Sequence, residues 1–159
     1  MKSQKASLFL VLMIFSTQSI FAQSPVTWTF RVIPEKNGIL EIHFKATLKE
    51  GWHIYSQQQP VDAVCSPTKI KYTPNPILLP EGQVKEVGQL IHYEFKTIGI
   101  KQDQYNREVD FVQRIRLKYP TASTKLSGMI HYQICTDIQC LPPTEIPFEI
   151  PVSPSDTTK

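Results

Sequence analysis

An all-β fold, an immunoglobulin-like antiparallel β-sandwich, is predicted by three features of the 159-residue sequence. Apolar and polar residues alternate along several short stretches, the period of a strand with one buried face. Proline, glycine and polar clusters separate those stretches. Beyond the first residues, no stretch of helical length carries a 3.6-residue apolar period. About eight such strands in roughly 137 residues match the dimensions of a sandwich domain, while the Cys…Trp…Cys spacing of antibody domains is absent.

The amino terminus is set apart from this pattern. Lys2 and Lys5 form a basic head, residues 8–15 are an apolar run of eight, and residues 16–22 end in Phe21-Ala22. Such a run is shorter than the ~20 residues a membrane span needs, and a small residue closes it, so residues 1–22 are expected to be a cleaved signal peptide. The domain is then expected over residues 23–152 and a polar, disordered tail over residues 153–159. Cleavage removes two lysines and no acids, which takes the net charge from +3 to about +1. A balance that near neutral gives no reason to expect nucleic acid as a partner, and no segment is expected to insert in a membrane. Export to the periplasm or medium makes a close pair of cysteines a disulfide candidate before a metal site.

Each strand has its own signal. Val26, Trp28, Phe30 and Val32 alternate in the first, and residues 34–38 are a turn. Leu40, Ile42, Phe44, Ala46 and Leu48 mark the inward face of the second. Residues 52–56 form a short strand after Gly51, residues 57–67 a polar loop holding Cys65, and residues 68–73 a strand between prolines. Three prolines and a glycine make residues 74–82 a connection. Residues 84–90 and 93–100 are strands interrupted by Gly88 and Gly99, and residues 101–107 a polar turn. Residues 108–117 form a strand in which Gln113 breaks an otherwise apolar face. Residues 126–135 form the next, interrupted by Gly128. Residues 145–152 end the fold, and Pro147 and Pro151 place that strand at a sheet edge because neither donates to a ladder.

Two of the three cysteines, Cys135 and Cys140, are separated by four residues at a predicted hairpin tip. Opposed strand residues have Cα atoms about 4.5–5.5 Å apart, a span that a disulfide accepts. Closing so short a loop removes little chain entropy, so the bond is a weak staple. Spacing alone leaves two readings open, a static structural link and a bond that opens and closes. Asp137, inside the loop, would raise a nearby thiol's pKa, and no histidine or lysine of the loop would lower it. An active pair of this kind exchanges with a partner thiol and is not a self-activated nucleophile. Cys65 has no sequence partner and is taken as an incidental free thiol. His43, His53, His92 and His131 show no ligand spacing, so no metal and no cofactor are called for. Trp28 and Phe30 are assigned to the core, and Arg114 and Arg116 to a solvated face.

The segments Gly51-Trp52-His53-Ile54-Tyr55 and Tyr132-Gln133-Ile134-Cys135-Thr136-Asp137-Ile138-Gln139-Cys140-Leu141-Pro142-Pro143, in this order, resemble the amino-terminal periplasmic domain of the thiol:disulfide interchange protein DsbD. The resemblance covers roughly residues 25–152 and implies an immunoglobulin-like fold. It implies that Cys135 and Cys140 are the exchanging pair, and that Tyr55, Trp52, Tyr132 and Pro142 form the active-site surface. A shielding cap loop is implied near residues 89–105, with Tyr93 or Phe95 as its ring. The implied partners are a thioredoxin-like or membrane-embedded electron donor and, as acceptor, a periplasmic disulfide isomerase or a cytochrome-maturation protein. The cysteine loop is one residue shorter than is frequent in that family. No membrane domain and no Cys-x-x-Cys follow in this sequence, so the donor is expected to be a separate protein. The alternative from a different class is a secreted immunoglobulin-like binding or assembly module with a structural disulfide. A copper-handling module would need Cys, His and Met clusters that the sequence does not show.

Overall fold

A computed structural model of the chain describes residues 24–119 and 122–153. The expected signal peptide, residues 1–22, and residues 154–159 of the expected tail lie outside the described residues. The strands are β1 (Val26–Pro34), β2 (Ile39–Leu48), β3 (His53–Tyr55), β4 (Lys69–Tyr72), β5 (Leu78–Phe95), β6 (Ile100–Leu117), β7 (Thr124–Tyr132), β8 (Ile134–Cys135) and β9 (Thr144–Val152). A 3₁₀ turn at Lys36–Gly38 joins β1 to β2. Among the described residues no helix is long and apolar enough to cross a membrane.

All strand pairs are antiparallel. The larger sheet is built on β6, which is 18 residues long. One edge of β6 pairs with β5. Its other edge pairs with β3 through residues 104–106 and with β2 through residues 108–116. β1 lies outside β2, and β8 outside β3. The smaller sheet has the order β4-β7-β9, so the proline-bearing β9 does lie at an edge.

The two sheets enclose one core, as the alternation predicts. Leu40, Ile42, Phe44, Ala46 and Leu48 of β2 and Val109, Phe111, Ile115 and Leu117 of β6 face Leu126, Ile130, Phe148, Ile150 and Val152 of the smaller sheet. The Phe44 and Phe148 rings meet edge to face across the sandwich, 5.0 Å between centroids. Burying each such side chain stabilises the fold by about 1.5–3 kcal/mol against leaving it in water. Gln113, the polar exception, does point inward and is 2% exposed. Its amide donates to the carbonyls of Glu81 (3.0 Å) and Arg114 (2.8 Å), beside a register shift in β5 that opens the ladder. Burial there is tolerated because the amide is bonded. On the outer face Arg114 and Arg116 pair with Glu35 and Glu81 instead of standing alone in solvent.

Four expectations are corrected. Residues 78–82 are the start of β5, not a connection. β5 is an edge strand, so Pro80 costs it no ladder partner beyond β6, and its irregularities at Glu81/Lys85 and Gly88/Leu90 are bulges inside one strand. Residues 101–107 are not a turn but the first part of β6. The chain reverses at residues 96–99, where the backbone N–H groups of Ile98 and Gly99 donate to the Phe95 carbonyl and Gly99 takes φ 68°. Residues 126–135 are two strands, because the chain leaves the smaller sheet after Tyr132 and joins the larger one at Ile134. Gln133 secures that crossing: its side chain accepts from the Ser66 N–H (2.9 Å) and donates to the Leu141 carbonyl (3.2 Å). Finally, Phe30 is 37% exposed although its ring meets those of Phe44 and Phe148, since β1 is an edge strand.

Candidate functional site

The site is assembled where β8, only two residues long, adds to the short β3. Cys135 is the register partner of His53, and Cys135 and Cys140 face each other in an antiparallel bridge. They form a disulfide with Cα atoms 4.0 Å apart. The loop between them satisfies its own backbone. Thr136 N–H donates to the Gln139 carbonyl (2.7 Å), and the Thr136 hydroxyl accepts from the N–H groups of Ile138 and Gln139 (3.3 and 3.1 Å). The tip therefore holds its shape without help from the rest of the fold. Cys135 is 1% exposed, whereas Cys140 and residues 137–139 are exposed.

Register decides which side chains share the face with the sulfurs, because residues in register on neighbouring strands project to the same side. Tyr93 is paired with Gln102, Gln104 with Tyr55, Asn106 with His53, and His53 with Cys135. Ile54, Tyr105 and Ile134 take the other side and belong to the core. The cysteines thus lie on the outer face of the larger sheet, at the end where β3 and β8 replace β2 and β1. A cavity of about 210 Å³ on that face is lined by His53, Tyr55, Tyr93, Phe95, Gln102 and residues 136–140. A larger cleft of about 540 Å³ adjoins it through His53 and Asp137, with Leu48, Lys49, Glu50, Gly51, Trp52, Asn106 and Arg107 as its other walls, and contains neither cysteine.

Tyr55 is 3% exposed, and its hydroxyl lies 4.0 Å from Cys140 Sγ. Burial pushes its phenol up to about 12, so it stays protonated and can donate to sulfur near neutral pH. The other side of the hydroxyl faces His53 Nε2 at 3.4 Å, and the two rings pack edge to face at 5.4 Å. Desolvation holds His53 below the ordinary histidine value, while the charge of Asp137 draws it upward. The strand is fixed from behind, where the Thr68 hydroxyl donates to the Tyr55 carbonyl at 2.6 Å. Glu86 braces the exit from β3, accepting from the Ser56 hydroxyl (2.7 Å), the Gln57 N–H (2.6 Å) and the Tyr105 hydroxyl (2.7 Å).

The structure brings Tyr55, Tyr93 and Phe95 to the disulfide, but the expected cap loop is the end of the β5–β6 hairpin. Tyr93 and Phe95 stand on one face of β5, two residues apart, with their rings edge to face at 4.8 Å. Pro142 is exposed, just beyond Cys140. Trp52 is not beside the cysteines; it lines the neighbouring cleft and packs against the core. Tyr132 is turned away from the site, 6% exposed and 5.5 Å from the Trp28 ring, because the chain crosses between sheets immediately after it. Cys65 is free and half-buried, its thiol donating to Gln59 Oε1 at 3.3 Å. Burial pushes that thiol up, which disfavours its thiolate.

Two residues that line the cavity beside Cys140, His53 and Gln102, have no place in the expected site, and neither has Gln104, the partner of Gln102. Three histidines pair with carboxylates, His43 with Asp110, His92 with Asp103 and His131 with Glu145. His53 instead is buried beside Tyr55. Its signal in the sequence is its place two residues before Tyr55, which on a strand puts both on one face. Gln102 and Gln104 are 3% and 4% exposed, and Gln102 donates to Gln104 at 3.2 Å. Their alternation around Asp103 and Tyr105 is a strand pattern written in amides.

Sheet order and site together define a β-sandwich domain that presents a hairpin-tip disulfide, sealed on one side, at the end of its larger sheet. The family model described as thiol:disulfide interchange protein DsbD, N-terminal, matches residues 17–150, and the chain belongs to that family. Among solved structures it is similar to the DsbD N-terminal domain of Neisseria meningitidis in the reduced form, with TM-score 0.53 and 16% identity over 79% of this chain and 86% of that one. It is also similar to the N-terminal periplasmic domain of ScsB from Proteus mirabilis, with TM-score 0.55 and 14% identity over 83% of this chain and 47% of that one. At these identities the two structures speak for the immunoglobulin-like fold alone. No curated protein sequence matches the chain.

Proposed function

We propose that the protein is a periplasmic thiol–disulfide exchange domain whose Cys135–Cys140 pair cycles between disulfide and dithiol. Family membership supports the chemistry. The observation that carries the reading is the asymmetry of the pair: Cys140 is exposed in the aromatic cavity, and Cys135 is sealed behind it. A donor thiolate attacks Cys140 Sγ, a mixed disulfide forms, and Cys135 leaves as a thiolate that takes up a proton. The donor's second thiol then displaces Cys140, leaving the domain as a dithiol and the donor oxidised. The dithiol passes its two electrons to an acceptor by the same steps in reverse.

In this reading Tyr55 lines the attacked sulfur, and Tyr93 and Phe95 shield it. The donor is a thioredoxin-like or membrane-embedded protein, and the acceptor a disulfide isomerase or cytochrome-maturation protein. Residues 1–22 are the signal peptide that delivers residues 23–152 to that compartment, and residues 153–159 are a tail.

The deciding measurement is the equilibrium reduction potential of the pair, with Cys65→Ser to prevent scrambling. A value of roughly −270 to −120 mV, the range of exchange proteins, is expected. A value below about −300 mV marks a structural bond, and the protein is then a binding or assembly module.

A further inference from the structure

One phenol hydroxyl neighbours both the sulfur and the imidazole. Tyr55 Oη is 4.0 Å from Cys140 Sγ on one side and 3.4 Å from His53 Nε2 on the other. Beyond the imidazole lies the 540 Å³ cleft, which His53 shares with Asp137. We infer that His53 is the proton acceptor for the reduced Cys140 thiol, reached through the Tyr55 hydroxyl, and that the adjoining cleft is its outlet to solvent. The inference rests on the exchange reading above and adds to it a means of activating the nucleophile, which no residue of the 136–139 loop provides.

The step balances. Cys140 gives its S–H proton to Tyr55 Oη while the Tyr55 O–H proton moves to His53 Nε2, the ring proton resting on Nδ1. Cys140 becomes a thiolate, Tyr55 is neutral before and after, and His53 becomes an imidazolium. The thiolate attacks the disulfide of an acceptor protein, forming one S–S bond and releasing one acceptor thiolate. Cys135 then closes on Cys140 and releases the second. The imidazolium proton and the Cys135 proton return to the two released thiolates, so the acceptor ends as a dithiol and this domain as a disulfide.

The surroundings of His53 suit the role. It must be neutral to accept, and burial favours the neutral ring. Once charged it faces Asp137 of the disulfide loop, whose charge favours the imidazolium. Tyr55 and Cys135 flank it on β3 and β8, Asn106 is its partner on β6, and Lys49, Glu50 and Arg107 complete the charged rim of the cleft. Tyr55 is held too high to exist as a phenolate near neutral pH, so it passes a proton on without storing charge.

The test is the rate of Cys140 alkylation by iodoacetamide against pH, in the reduced protein carrying Cys65→Ser and Cys135→Ser. His53→Gln and Tyr55→Phe are each expected to slow alkylation near pH 7 by about tenfold, one unit in thiol pKa, and to give the same altered profile. Profiles that superimpose on the parent's overturn the inference. A second measurement does not depend on those variants folding: the His53 ring is titrated by NMR in the reduced protein with and without Cys140→Ala. A midpoint that moves when the thiol is removed supports the relay, and one that stays overturns it. Exchange of the intact pair with glutathione, measured alongside, separates the two levels. Absence of exchange defeats the function itself, whereas exchange with an unmoved pH profile defeats only the relay.

Discussion

Cys135 and Cys140 share one bond but not one environment: the first is 1% exposed beside β3, and the second is exposed at the mouth of the aromatic cavity. A thiol reacts only where a partner reaches it and where its thiolate is solvated or paired. The single-cysteine variants should therefore behave unequally. With Cys65→Ser throughout, Cys135→Ser leaves a reactive Cys140 that forms a mixed disulfide with Ellman's reagent. Cys140→Ser leaves a Cys135 that reacts at least about tenfold more slowly, from its burial. Equal labelling rates would place the point of attack elsewhere.

Tyr93 and Phe95 line that mouth at the end of a hairpin whose reversal, residues 96–99, is exposed. Hairpin ends with few buried contacts open more cheaply than the core. Phe95→Ala should thus speed reduction of the disulfide by a dithiol such as dithiothreitol by several-fold. The same change should cost about 1 kcal/mol or less in global stability, the ring being only half-buried. Reduction kinetics and urea unfolding on one preparation check both parts, and an unchanged reduction rate removes the shielding role.

The part of this architecture legible in the sequence is the part written as apolar alternation. Leu40 to Leu48 on β2 and Ile146 to Val152 on β9 announce strand, face and core at once, and the prolines of β9 announce its edge. The two cysteines announce a hairpin tip. The site face carries no such signal, because it lies outside the core and is built from amides and a histidine. Gln102, Gln104 and Asn106 alternate as a strand does, but polar alternation resembles a turn when hydrophobicity is the only guide. The resemblance places Tyr132 at the site as part of the cysteine segment. The crossing at Gln133 sends the two residues to different sheets, and nothing in local periodicity marks such a crossing.

Gly128 carries a constraint that the sequence shows only as an interruption. A Cβ there would lie 2.1 Å from the Lys71 carbonyl oxygen and 2.6 Å from the Phe148 ring. The first neighbour is backbone and the second is the ring that bridges the sandwich, so neither gives way easily. Gly128→Ala should cost about 3 kcal/mol as overpacking, at the upper end of the usual range. For a domain of this size that is a fall in Tm of roughly 10 °C. The site lies at the far sheet, so the reduction potential of the folded variant should match the parent's. A shifted potential would show that β7 packing reaches the disulfide.

His53 also makes stability depend on pH in a defined direction. Burial holds its folded-state pKa below the ordinary histidine value of 6.5, so as pH falls the unfolded chain takes up the proton first. Stability therefore rises with pH wherever the unfolded state binds more protons. The contribution is present in full above the unfolded value, declines as pH drops from there through the folded value, and is lost below it. His43, His92 and His131 each face a carboxylate instead. The oxidised protein should accordingly lose Tm over the interval that begins near a histidine's ordinary value, about pH 6.5, and runs downward. His53→Phe, which keeps a ring against Tyr55 but cannot titrate, should flatten that part of the curve. Thermal unfolding of the two proteins across this interval decides the matter, and parallel curves would show that the slope belongs to other groups.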